Sequence, residues 1–170
     1  MDVLVWLFGI GAMASLFISY QQRTRGGLLA AKLSADAFWV AHYFCLGATA
    51  GMIPNLVGIF RELVFINRKK HKWANLFIWP VIFVGLNWFL AWLSFDTPSD
   101  LLPIVGSSVV TVALWNDRPR LTKIIIVPVS ISFLIYDIFV GSYIGIVNEI
   151  IGISSIIIYF IKESRKRENK

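Results

Sequence analysis

A chain of 170 residues in which 57 % are hydrophobic and 15 % charged, with a mean hydropathy of +0.71, lies far outside the make-up of a soluble domain. Its net charge of +6 would suit nucleic acid, yet no basic and aromatic surface domain is present to bind one, so no nucleic-acid partner is expected. Strict apolar/polar alternation is absent, which excludes a β-barrel and leaves an all-α membrane protein.

Seven transmembrane helices are predicted, at roughly 3–20, 30–47, 50–67, 74–95, 100–116, 121–140 and 142–161. The first, DVLVWLFGIGAMASLF, has no Lys or Arg before it and reads as a retained span rather than a signal peptide. Polar breaks follow spans 1, 3, 4 and 5 as QQRTRGG, NRKKHK, DTPSD and NDRPR; GATAG and GSYIG are Gly-rich hairpins. The chain is read as a single transmembrane domain, 1–170. It comprises a three-helix unit at 3–67, a connecting helix at 74–95, a second three-helix unit at 100–161 and a basic tail at 162–170.

Every Lys and Arg falls on one alternating set of connections. Arg23, Arg25 and Lys32 follow span 1, and Arg61, Arg68, Lys69, Lys70 and Lys72 end or follow span 3. Arg118, Arg120 and Lys123 follow span 5, and Lys162, Arg165, Lys166, Arg167 and Lys170 close the chain. The other side carries Asp2, Asp96 and Asp100. The positive-inside rule then puts the N-terminus outside and the C-terminus in the cytoplasm, and anionic membrane lipid becomes the expected partner of the basic side. Trp73 and Trp115 at the basic edge, with Trp6 and Trp92 towards the other, suit interfacial belts; Trp39, Trp79 and Trp88 fall deeper. Two halves in one chain suffice for a monomer, and exposed apolar faces leave a homodimer open.

Shifting the chain by 94 lays Gly47, Gly51 and Gly58 on Gly141, Gly145 and Gly152, Asn55 on Glu149, Trp39 on Phe133 and His42 on Tyr136. It also lays spans 1 to 3 over spans 5 to 7. The expectation is a 3+1+3 plan of two parallel repeats. The glycines are read as sites of close helix approach and tight turning. Pro54 and Pro128 would free carbonyls at depth, and Pro80 is expected to bend span 4.

That plan resembles the SWEET and PQ-loop transporters and the PnuC-type nicotinamide riboside transporters. No Pro-Gln pair stands in span 1 or span 5, where Gln21-Gln22 and Pro103 are poor substitutes, so those families' substrates do not transfer. A closer likeness lies in LLPIVGSSVVTVALW at 101–115, FVGSYIG, AHYFCLG and the IFR of 59–61. These stretches resemble the YgjV family of bacterial inner membrane proteins. The resemblance implies a multi-pass protein of the bacterial inner membrane and supplies no activity.

Ionisable groups at depth are costly, about 2.5–3.5 kcal/mol at a helix centre, and tend to be functional. Asp137 stands four residues before Gly141 and Glu149 seven residues into span 7. The two acids could approach across the hairpin and, with a solute between them, couple it to a proton gradient; the duller alternative is an interhelical hydrogen bond. His42 has three readings: proton acceptor, donor to a solute, or satisfied packing residue. Asp36, Trp39 and Tyr43 form an i, i+3, i+7 row beside it. Arg61, beside Glu62, is expected to pair or to snorkel to the headgroups.

Cys45 is alone and reads as a small buried apolar residue. His42 and His71 lie at opposite depths, so no metal set arises, no cofactor is expected, and no catalytic motif is present. The expected function is therefore transport of a small polar solute by a protein that is not an enzyme. The candidate binding residues are Trp39, His42 and Asn55 from one half and Tyr136, Asp137, Asn148 and Glu149 from the other. The rival is a seven-helix scaffold that binds lipid or a partner membrane protein.

Overall fold

The computed structural model describes residues 3–22, 25–116 and 119–168. Within them the chain forms seven α-helices: α1 (Val3–Gln21), α2 (Arg25–Leu46), α3 (Thr49–Asn67), α4 (Ile78–Leu93), α5 (Leu101–Trp115), α6 (Pro119–Val140) and α7 (Tyr143–Glu168). Short 3₁₀ turns, Trp73–Asn75 and Pro98–Asp100, precede α4 and α5. Arg23, Arg118, Lys170 and Asp2, all assigned to a side above, lie outside the described residues, as do the side chains of Arg25, Arg120, Lys162, Lys166 and Arg167.

Four segments are long and apolar enough to cross a membrane by length and composition: Thr49–Asn67, Pro98–Trp115, Lys123–Val140 and Tyr143–Ile161. The apolar helices Val3–Ser19 and Ile78–Leu93 are shorter. Helix α2 has 22 residues, about 33 Å at 1.5 Å per residue, but carries Lys32 and Asp36 near its start. Polar residues inside it are therefore what set it apart from the other long helices.

Each helix packs on its neighbours so that α1, α2, α3, α5, α6 and α7 close a ring, α7 returning to α1. Helix α4 lies outside the ring, against α3 and α5. One apolar cluster, with Phe65, Phe83, Val57 and Ile104, fills the α3–α4–α5 corner. A second, with Trp39, Tyr43, Tyr136 and Ile144, joins α2, α6 and α7.

The two Gly-rich hairpins are built alike. Gly47 and Gly141 hold φ of 70° and 72°, a left-handed conformation that costs other residues about 1–2 kcal/mol. Ala48 N–H donates to Tyr43 O at 2.9 Å, and Ser142 N–H to Asp137 O at 2.9 Å. These are the six-residue closures of helix ends with glycine in the left-handed position. The two turns, 94 residues apart, thus share one backbone geometry.

Three expectations are corrected. Pro80 is the third residue of α4, where its missing N–H was unsatisfied in any case, so it starts the helix instead of bending it. Span 4 begins four residues late because the 3₁₀ turn and an extended Leu76 occupy its predicted start. Gly152 has open space around it: a Cβ there would meet nothing within 4 Å, whereas Gly58 abuts the Asp36 carboxylate and Gly51 the rings of Tyr43 and Tyr136.

Candidate functional site

Two layers of buried polar side chains link the helices. Near the Gly-rich hairpins, Tyr43 on α2 donates its hydroxyl to Asp137 Oδ1 on α6 at 2.7 Å. These residues are 94 positions apart, the same offset that relates the two Gly-rich hairpins. Gly51 N–H donates to the Tyr136 hydroxyl at 2.9 Å, which closes α3 onto α6.

His42 completes this layer. Its Nδ1 lies 2.9 Å from Val5 O, and a carbonyl can only accept, so Nδ1 carries the proton. Its Nε2, 2.8 Å from Ser142 Oγ, then accepts from that hydroxyl. Ser142 Oγ in turn accepts from Gly145 N–H at 3.2 Å. With its one proton given to His42, Ser142 has none for Asp137 Oδ2, which is buried without a hydrogen-bond partner. A side chain at Gly145 would overlap that carboxylate.

Trp39 packs this layer from below, stacked on Tyr43 at 5.7 Å and edge-on to His42 at 5.2 Å. His42, Tyr136 and Asp137 are at most 1 % exposed. Both ring nitrogens of His42 thus have partners inside the bundle. Asn55 donates to Gly51 O within its own helix at 2.8 Å, and Asn148 donates to Glu149 Oε1 at 3.1 Å. Asp137 and Glu149 therefore each bond a different neighbour.

Above the layer lies a cleft of about 350 Å³. Its walls are the first hairpin at 47–50, the α4–α5 connection with Ser94, Asp96, Thr97, Ser99 and Asp100, and the end of α6 with Phe139 and Val140; Tyr136 also lines it. Of the seven candidate residues, Tyr136 alone lines this cleft. Asp100 is partly committed: its Oδ2 accepts from the N–H groups of Asp96 at 3.0 Å and Thr97 at 2.9 Å, which fixes the connection.

The second layer lies towards the basic end and was not anticipated as a unit. Lys32 Nζ bonds Asp36 Oδ1 at 2.8 Å, one turn along α2, and Glu62 Oε1 at 3.0 Å on α3. Arg61 Nη2 reaches the same Glu62 oxygen at 3.1 Å, and its Nη1 donates to Thr111 Oγ1 on α5 at 2.9 Å. Two cations face two anions. Arg61 is 3 % and Glu62 0 % exposed, so Arg61 pairs inside the bundle and does not snorkel. The spacing of Lys32 and Asp36 was the available signal for this network, but Lys32 reads equally well as a topology charge.

At the repeat-equivalent positions stand Ile126, Ser130, Ser155 and Ile156, so the ionic layer has no counterpart in the second half. Between the layers Asn87 on α4 donates to Ser107 Oγ on α5 at 3.3 Å. No cluster of three or more His, Cys, Asp or Glu residues suited to a metal occurs among the described residues.

Comparison with curated proteins and with solved structures finds no match. A family model, Imp-YgjV, described as a bacterial inner membrane protein, matches residues 4–167. That match spans all seven helices and accords with their apolar surfaces, on which Phe44, Trp92 and Phe139 are each more than two-thirds exposed. The chain belongs to the YgjV family and is a multi-pass protein of the bacterial inner membrane.

Proposed function

We propose that the protein carries a small polar solute across the inner membrane by parting two three-helix halves, α1–α3 and α5–α7, joined through α4. Seven spans with the N-terminus outside complete this reading. The single observation that carries it is the placing of Tyr136. The residue lines the cleft, and its hydroxyl accepts the Gly51 N–H bond that ties α3 to α6. A solute settling in the cleft would compete for that bond.

The cleft has a volume within the range of small-molecule sites, about 300–1,000 Å³. Its polar lining is hydroxyl and carboxylate with no Lys or Arg, which favours neutral or positively charged solutes over anions. The pairing of equivalent positions, Tyr43 with Asp137, supports two halves related by a pseudo-twofold axis along the membrane normal. If transport is linked to protons, Asp137 is the candidate carrier, because one of its oxygens is unpartnered.

One observation favours the rival scaffold: Glu149 is bonded to Asn148 and does not line the cleft. Thermal stability of the detergent-purified protein against a panel of sugars, nucleosides, vitamins, amino acids and polyamines separates the two. A ligand that binds the folded state raises apparent stability by RT ln(1 + [L]/Kd). The transport reading expects at least one stabilising solute whose effect is lost in Tyr136→Ala. Silence across the panel from wild type favours the scaffold.

A further inference from the structure

Around the ring the halves adjoin at two seams, α3–α5 and α1–α7, and these are built very unequally. Along α3–α5, Arg61 bonds Thr111, and Arg68 donates to Trp115 O while its guanidinium lies 3.8 Å over the Trp115 ring. Phe65 also packs on Trp115 at 5.4 Å. Helix α4 then straps this seam from outside, touching α3 and α5 and bonding Ser107 through Asn87.

Among the described side chains, no hydrogen bond, ion pair or ring contact joins α1 to α7. Their close contact is near the hairpin end, where a Cβ on Gly9 would come within 2.9 Å of Ile144. Farther along, beyond Asn148, none of the α7 residues with described side chains is buried, and the cation–ring contact there is to its own half, with Lys123 Nζ of α6 3.2 Å over the Tyr159 ring. The repeat-equivalent pairs make the contrast quantitative. Val57, Val64 and Phe65 on α3 are 1, 8 and 1 % exposed; Ile151, Ile158 and Tyr159 on α7 are 49, 50 and 40 %. Gly152 has open space where its mate Gly58 is pressed against Asp36.

Apolar burial is worth about 25 cal/mol per Å² in water; in lipid, close packing and polar bonds hold helices together instead. By either measure the strapped seam is the stronger. We infer that α3–α4–α5 is the hinge of the bundle and that the halves part at the α1–α7 seam, with α7 beyond Asn148 as the moving wall. Motion pivots at the second hairpin, where Ser142 holds His42 and Gly141 supplies the turn. The basic end opens and the hairpin end stays closed, which gives a path from the layer of His42 and Asp137 towards the basic side. This deepens the transport reading by naming the element that moves, and it rests on that reading for its purpose only.

The test uses spin-label distances in lipid nanodiscs, on a Cys45→Ala background. Ile18→Cys with Ile158→Cys spans the α1–α7 seam at its basic end, and Leu63→Cys with Val112→Cys spans α3–α5 at the same end. All four side chains are 47–58 % exposed, so labelling leaves the core intact. The 18/158 pair should give a broad or two-peaked distribution at least twice as wide as a single-peaked 63/112 distribution. Equal widths, or a wider 63/112 pair, would overturn the inference. No solute is required, so a protein that fails every uptake assay can still pass or fail here.

Discussion

Breaking the buried ionic layer one charge at a time should cost far more than breaking it in balanced pairs. In wild type, Lys32 and Arg61 face Asp36 and Glu62, and the layer is neutral. Arg61→Met leaves one negative charge in excess and Glu62→Gln one positive, each at a site at most 3 % exposed. At the 3.1 Å of Arg61 and Glu62, Coulomb's law with an effective dielectric of about 20 gives about 5 kcal/mol. Removing one partner of a buried pair costs about 3–5 kcal/mol, mostly because the other charge is stranded. The double variant restores neutrality, since Lys32 keeps Asp36. Its destabilisation should therefore fall short of the sum of the singles by about 2–3 kcal/mol, at the upper end of measured couplings. Reversible SDS unfolding in mixed micelles, read by circular dichroism, measures all four corners of the cycle. Additive singles, or singles below about 1 kcal/mol as for a hydrated surface pair, would refute the reasoning.

The glycines divide by what surrounds them. Gly145→Ala should cost about 1–3 kcal/mol by forcing Asp137 away from Tyr43, whereas Gly152→Ala should be neutral or stabilising by up to about 1 kcal/mol, both read by the same unfolding assay. Gly47→Ala and Gly141→Ala should each cost about 1–2 kcal/mol, and by similar amounts, because both sit at positive φ. Tyr43→Phe removes the donor to Asp137 Oδ1 and should cost about 1–3 kcal/mol, with part recovered in Tyr43→Phe/Asp137→Leu, where no carboxylate remains unpaired. For orientation, Asp96→Cys on intact cells should react with a membrane-impermeant maleimide, and Lys70→Cys only after permeabilisation; the reverse pattern would place the N-terminus inside.

How far the sequence led depends on whether a feature is local. The hairpins were legible because a turn at positive φ leaves glycine at a fixed place, and the shift of 94 carried Gly47 onto Gly141 with nearly the same φ. Helix bounds followed hydropathy to within two residues, except that the 3₁₀ turn at Trp73–Asn75 delays α4, α2 starts at Arg25 rather than 30, and α7 runs on to Glu168 rather than 161. Tyr43 and Asp137 are equivalent under that shift, but only the crossing of α2 and α6 makes equivalent residues touch, and no sequence period encodes that crossing. Arg61 was expected to pair or to reach a headgroup, and a single helix does not decide between them; the pairing with Glu62, with Thr111 opposite and Lys32 beside it, is decided by how α5 and α2 pack. Asn87 was overlooked, as a lone amide on the connecting helix gives no pattern until Ser107 faces it. Hydrogen bonds and ion pairs across helices are thus the part that needed coordinates.

The central claim is that the two halves move a solute between them, and uptake into proteoliposomes tests it most directly. Vesicles containing the purified wild type should accumulate at least one radiolabelled neutral or cationic polar solute above protein-free vesicles, and Tyr136→Ala, which removes the side chain that both lines the cleft and accepts from Gly51, should change that rate by tenfold or more. Uptake equal to protein-free vesicles for every solute tested, from a wild-type protein whose unfolding curve shows it intact, would contradict transport and leave a packed seven-helix scaffold.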